Sequence, residues 1–211
     1  MIGAEKFWDG MATRYAARPI PDMAAYDATL ERVAAYLGPN DRVLELGCGP
    51  GTTPIRLAPL VRHYDATDIS RELLAIAGER AREAGVGNLA FRQARLEDDF
   101  GDGAYDAAMA FNVLHLAADP EAALRTMARS VRAGGYVITK SACLKDGQGW
   151  LRPVLWVMQR LGKAPDVRFM SSAELDAMHE AAGLKIVETG WYSRKAGARF
   201  VVAQKHDQLP G

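Results

Sequence analysis

The stretch that decides the fold runs from Arg42 to Thr53 and reads RVLELGCGPGTT. It opens as a short apolar run, Val43, Leu44 and Leu46, with one acid inside it, Glu45. Glycines follow at 47, 49 and 51, and from Thr52 the pattern turns helical. The order is strand, glycine turn, helix. Glycine adopts positive φ and lets another molecule come close to bare backbone. The helix start beyond the turn carries unpaired N–H groups and a partial positive charge. Such a turn suits a polar or anionic ligand at the carboxyl end of a strand.

Working outward, His63 to Asp68 (HYDATD) forms a second short strand candidate that ends in an acid, 21 residues beyond Gly47. In a βαβ unit the second strand lies beside the first, so its terminal acid sits next to the glycine turn. A carboxylate there can accept two hydrogen bonds from ribose hydroxyls. The pair points to a nucleoside-containing ligand. A dinucleotide fold would show G-x-G-x-x-G, whereas here the spacing is G-x-G-x-G and Thr52 stands in the third dinucleotide position.

Preceded by Val43-Leu44-Glu45-Leu46, the loop closely resembles motif I of the class I S-adenosylmethionine (SAM) dependent methyltransferases. Tyr105 to Leu116 (YDAAMAFNVLHL) resembles the fourth-strand segment of their small-molecule members, and Val131 to Ile138 (VRAGGYVI) the turn into their fifth strand. The resemblance runs from about Phe7 to Lys205 and identifies the family better than the substrate. It implies SAM as cofactor. Glu45 would order the glycine loop and the amino end of SAM, and Gly47, Gly49 and Gly51 would let it approach. Cys48 would offer its backbone rather than its thiol. Asp68 would bind the ribose, Ile69 would pack on the adenine face, and Asn112 would lie beside the methionine part. Many relatives place an acid soon after the third strand for the adenine amino group. Here that position falls on Ala94, so the Gln93 side chain, or the backbone near Arg95 and Leu96, is expected to substitute.

The bulk numbers fit that expectation. With 211 residues, one domain over 1–211 is the natural prior. Apolar residues make up 49% and charged residues 25%, ordinary for a soluble globular protein. The formal net charge is zero, which gives no electrostatic reason to expect a nucleic-acid partner. Cys48 and Cys143 read as free thiols of a reducing compartment. With no leader pattern and no apolar stretch near the ~20 residues of a membrane span, a cytoplasmic protein is expected. The expected partner is a small-molecule substrate; the oligomeric state is open.

Along the chain, Glu5 to Ala16 and Pro21 to Leu37 read as helices, the first with Phe7, Trp8, Met11 and Tyr15 on one face. In the family these leading helices, within 1–40, fold over the SAM pocket. Phe7 and Trp8 are read as core, Tyr15 as a candidate lining residue. A third strand is expected over Asn88–Gln93 and a fourth over Tyr105–Phe111, then a helix from Pro120 to about Val131 and a fifth strand over Tyr136–Lys140. The acidic run Glu97, Asp98, Asp99 and Asp102 reads as a solvated loop rather than a metal site. His115, just past the fourth strand, is the candidate general base, with a structural role the alternative. Gly149 to Leu161 carries Trp150, Val154, Val157, Met158 and Leu161 on one face. It reads as core packing, as a lid-like insertion over 146–165, or as a partner or membrane-surface contact. Ser171 to Ala182 is the last helix. Leu184–Thr189 and Arg199–Gln204, joined by too short a loop for a crossover, must pair antiparallel.

The expected fold is therefore α/β. A Rossmann-like doubly wound sheet, mostly parallel, carries N-terminal lid helices and a C-terminal antiparallel hairpin. The expected activity is methyl transfer from SAM to a small, apolar or aromatic acceptor. An NAD(P)-binding oxidoreductase and a non-catalytic SAM-binding module are the competing readings.

Overall fold

The structure, a computed structural model, describes residues 3–192 and 197–206. Seven strands form one sheet: β1 (Arg42–Leu46), β2 (His63–Asp68), β3 (Leu89–Gln93), β4 (Tyr105–Phe111), β5 (Val131–Ala142), β6 (Leu184–Gly190) and β7 (Ala198–Lys205). Their spatial order is β3-β2-β1-β4-β5-β7-β6. The first five run parallel, and β7 inserts antiparallel between β5 and β6. The hairpin loop includes residues 193–196, which lie outside the described residues.

Alternation along β1 explains why the sheet needs cover on both sides. Val43 packs on one face with Tyr64, Met109, Ile138 and Phe200, while Leu44 and Leu46 pack on the other with Leu124, Met127 and Val137. A parallel strand buried on both faces is apolar nearly throughout, and helices must supply the covering layers. The α-helices are α1 (Ala4–Ala16), α2 (Met23–Ala34), α3 (Thr52–Leu57), α4 (Arg71–Glu83), α5 (Pro120–Ser130), α6 (Arg152–Arg160) and α7 (Ser172–Ala181), of which α6 covers neither face. Their starts follow capping chemistry: Ser70 accepts from Leu73 N, Asp119 from Ala122 N, and Ser171 with Glu174 completes a capping box.

Three expectations shift. Helix α2 begins at Met23 rather than Pro21 because Asp22 caps it, accepting from Ala25 N, and it ends at Ala34 rather than Leu37. Strand β5 begins at Val131, five residues earlier than expected. The glycine pair does not precede the strand but makes an irregularity inside it, since Tyr105 pairs with Val131 and Ala107 already pairs with Tyr136. The core reading of 149–161 fails. No residue of α6 is buried, and Trp150 is 69% and Trp156 57% exposed. The sheet faces are already filled, by Leu124 and Leu175 on one side and by Leu30 and Val33 on the other. Among the described residues, no helix is long and apolar enough to cross a membrane.

The chain leaves β1 toward β2 and β3 on one side and returns to place β4 on the other. The crevice at the carboxyl ends of β1 and β4 is the topological switch point, where open α/β sheets hold ligands.

Candidate functional site

The turn after β1 is fixed from β2. Cys48 N donates to Thr67 O at 2.9 Å. The Asp68 carboxylate accepts from Gly49 N and from Ser70 N, both at 2.9 Å. One side chain thus holds the glycine turn and the start of α4 together. Burial raises the Asp68 carboxyl above its ordinary range, and the N–H groups of Ser70, Gly49 and Ile69 oppose that shift.

Two of the turn glycines do different work. A Cβ on Gly49 (φ +56°) would meet nothing nearer than the Tyr15 ring at 3.6 Å, so bare backbone faces open space. A Cβ on Gly51 (φ +81°) would lie 2.8 Å from Ala77 Cβ and 3.1 Å from Ala77 Cα. Gly51 lines no cavity described here. Against the expectation that it admits a ligand, it lets α3 pack on α4. The two alanine variants should separate accordingly. Gly51→Ala combines left-handed backbone strain with overpacking and should lose about 3 kcal/mol of stability in denaturant unfolding. Gly49→Ala should lose only about 1 kcal/mol, the strain alone, while its ligand affinity falls.

Two cavities meet at this turn. The first, about 190 Å3, is lined by Asp68, Ile69, Leu73, Ala94, Leu96 and Glu97 on one side and by Trp8 and Tyr15 of α1 on the other. The second, about 380 Å3, is lined by Tyr26, Thr29, Glu45, Thr53 and Lys140, among others. Tyr15, Gly47, Gly49, Phe111 and Asn112 belong to both and form the shared wall. Asn112 has φ 57°, a conformation no other non-glycine described residue shares, and its N–H donates to Lys140 O at 2.6 Å. A strained residue at a cavity wall is held there by its neighbours.

Glu45 sits under the second cavity, 2% exposed, and accepts from Tyr64 OH at 2.6 Å. Burial pushes its carboxyl up to about 8, with Tyr64 opposing and the charge of Asp68 adding. Cys48 is buried and burial holds its thiol well above the ordinary thiol range, so it is no nucleophile. His115 lines neither cavity. Its Nδ1 lies 3.4 Å from Ser141 Oγ, and burial pulls its pKa down to about 4. The candidate base is therefore neutral and weakly basic, and it lies outside the lining of these two cavities.

On the β3 side, Gln93 is already engaged. Its amide nitrogen donates to Glu5 Oε1 and Ile69 O, and its oxygen accepts from Arg71 Nε. It does not line the first cavity, against the expectation that its carbonyl substitutes for the missing acid. Arg95 N donates to Asp98 Oδ2 at 2.9 Å and Arg95 O accepts from Asp98 N at 3.3 Å, while Arg95 and Leu96, the two expected backbone substitutes, both line the first cavity. Glu97, read as part of a solvated loop, lines the first cavity instead. Asp99 and Asp102 pair with Arg129. Among the described residues no three His, Cys, Asp or Glu side chains are grouped to hold a metal.

Helix α1 closes the first cavity. Phe7 and Trp8, expected in the core, are half-buried, and Trp8 stacks edge-on against both Phe7 and Tyr15, ring centroids 5.4 Å apart in each pair. The helix is clipped at three points. Asp9 accepts from Ser70 Oγ at 2.6 Å, Glu5 accepts from Gln93, and Arg80 donates to Ala16 O at 2.8 Å. Leu73, Glu97, Phe111 and Lys140 are among the lining residues that sequence reasoning passed over. For Trp8 the signal was present, in its helical spacing with Tyr15, but pointed equally to core.

A family model for a methyltransferase domain matches residues 15–189. The chain belongs to the class I SAM-dependent methyltransferases. The methyltransferase is 30% identical over 152 residues to the ubiquinone biosynthesis O-methyltransferase of Aeromonas salmonicida, an alignment covering 69% of this chain and 63% of that protein. It is 30% identical over 184 residues to the hybrid PKS-NRPS synthetase mpsA of Macrophomina phaseolina, covering 78% of this chain and 4% of the synthetase. The chain thus spans less than two thirds of either relative. Its fold is similar to that of magnesium protoporphyrin IX methyltransferase from Synechocystis, solved with bound S-adenosylhomocysteine (SAH), at a TM-score of 0.73, 20% identity and coverage of 95% and 97%. The family's cofactor, and so that of this methyltransferase, is SAM. The residues present fit it. Gly49 leaves backbone open to a close ligand, Asp68 stands beside it, and two joined cavities leave room for a nucleoside on one side and an amino acid on the other.

Proposed function

We propose that the chain transfers a methyl group from SAM to a small, apolar or aromatic acceptor. The observation that carries the reading is the meeting of two cavities at Gly49, with Asp68 under one and Glu45 under the other. In this reading Asp68 takes the ribose hydroxyls, with Ile69 against the adenine and Leu96 near its edge. Glu45, Gly47 and Asn112 hold the amino-acid end, and Tyr15 covers the middle. The relatives named for ubiquinone biosynthesis and polyketide assembly support a small-molecule acceptor.

When bound, SAM supplies a methyl carbon on a sulfonium whose thioether leaves as a neutral group. The chain's own residues then have three tasks: to bind, to hold the acceptor in line about 3 Å from that carbon, and to keep water out. His115 takes no proton in this scheme, because it lines neither cavity. Residues 1–211 act as one catalytic domain, with the helices within 1–40 as cover. The segment 146–165 serves as a second cover, which accounts for an apolar helix face left open to solvent, since Trp156 and Leu161 share a groove with Gly3 and Lys6 beside α1.

Calorimetric titration with SAH tests the reading. Saturable binding with one site per chain is expected, followed by SAH release when SAM and a suitable acceptor are supplied. Folded protein that gives no heat with SAH would remove it.

A further inference from the structure

The second cavity holds a cation that the proposed cofactor contacts do not use. Lys140, at the carboxyl end of β5, is only 9% exposed. Its Nζ donates to Thr29 Oγ1 of α2 at 2.8 Å, and lies 5.9 Å from the Tyr192 ring centroid. No carboxylate among the described residues lies within ion-pair distance of it. An ammonium has three donors, and a buried one left short of acceptors is costly. Burial accordingly pulls its pKa below the ordinary lysine range, with the charge of Asp22 opposing.

The surroundings say what would complete it. Arg18 is a second cation on the same cavity wall, and Phe111, Tyr26 and Leu30 supply apolar and aromatic surface. Glu45, the one acid on that wall, would face the donor's own ammonium in the proposed site, which leaves Lys140 and Arg18 as the cations of the wall without an acid partner on it. The cavity is thus positive, ringed by flat apolar groups, and next to the shared wall at Asn112. Lys140 also supplies the backbone carbonyl that accepts from Asn112 N at 2.6 Å.

We propose that Lys140 is the specificity residue for an aromatic acceptor carrying a carboxylate, its ammonium donating to a carboxylate oxygen in the second cavity. The proposal rests on the methyltransferase reading and adds a substrate class to it. A charge-assisted hydrogen bond in a desolvated site is among the stronger polar contacts, so the preference for anion over neutral isostere should be large. The same ammonium could instead take the carboxylate at the amino-acid end of the donor, and the experiment separates the two.

The test uses full-length protein saturated with SAH and paired probes differing only in charge, benzoate with benzamide and 3,4-dihydroxybenzoate with 3,4-dihydroxybenzamide. Binding is read by calorimetry and thermal shift in wild type, Lys140→Met and Lys140→Arg. The wild type should prefer each acid over its amide by about tenfold or more. Lys140→Met should erase that preference, Lys140→Arg should keep it, and SAH affinity should move less than about twofold. Equal binding of acid and amide in the wild type, or no binding of either, overturns the proposal, and does so even if Lys140→Met fails to fold. A loss of SAH affinity in Lys140→Met with the acid preference intact assigns the ammonium to the donor and overturns it as well. Failure of SAH itself to bind sinks the methyltransferase reading instead, so the two failures are distinct.

Discussion

Asp68→Ala is expected to weaken SAH binding by about a hundredfold or more. Two hydrogen bonds from ribose hydroxyls to a buried carboxylate, each worth roughly 1.5–3 kcal/mol, would be lost together. The structure adds a second loss. The same carboxylate accepts from Gly49 N and Ser70 N, so its removal leaves two buried donors unpaired and frees the turn that shapes the cavity. Asp68→Asn separates the parts. Its amide oxygen can keep one N–H but its NH2 faces the other donor, so it should fall short of wild type in both stability and affinity. Calorimetry with SAH beside urea unfolding measures the two. Unchanged affinity in Asp68→Ala would remove the ribose assignment.

The second large effect concerns Glu45 and pH. Folding raises its pKa from 4.5 to about 8, chiefly through burial. Between those values the folded state holds a proton that the unfolded chain releases. Stability is therefore highest below pH 4.5 as far as this group is concerned, and is lost as pH rises toward 8. The loss is on the order of 5 kcal/mol in the ligand-free protein. Glu45→Gln keeps an acceptor for Tyr64 OH and removes the ionisation, so the variant should be the more stable of the two at pH 8, with a flat profile across the window. It should also bind SAH more weakly. In the proposed site an ammonium beside Glu45 favours the ionised form, so wild-type binding near pH 7 should release close to one proton, and the variant's none. Titration in two buffers of different ionisation heat reads that proton. A wild-type stability profile as flat as the variant's would show that Glu45 ionises freely in the fold.

Much of this was open to reading because it is local. The β1 turn and Asp68 lie within one βαβ unit, so spacing alone brings them together. Caps at Ser70, Asp119 and Ser171 and the short hairpin loop marked elements whose type no distant contact overrides. The misses share a different cause. Gly51 works as a packing glycine only because Ala77 arrives from α4, and nothing in G-x-G-x-G reveals that neighbour. Lys140 meets Thr29 across 111 residues. Gln93 looked free until Glu5, Ile69 and Arg71 each claimed part of its amide. His115 sits at the right strand end but is set aside by burial, which chain position does not report. The apolar stripe of α6 had the period of a core helix, and periodicity says which side is greasy, not whether anything lies against it.

The clips on α1 carry a consequence for timing. Asp9, Glu5 and the Ala16 carbonyl tie one helix to the rim of β3 and to α4, and that helix is also the outer wall of the first cavity. A spent cofactor would leave quickly only if those ties let go together. In the proposed site, weakening any one tie, as in Glu5→Ala, is therefore expected to shorten the residence time of bound SAH, read as its dissociation rate.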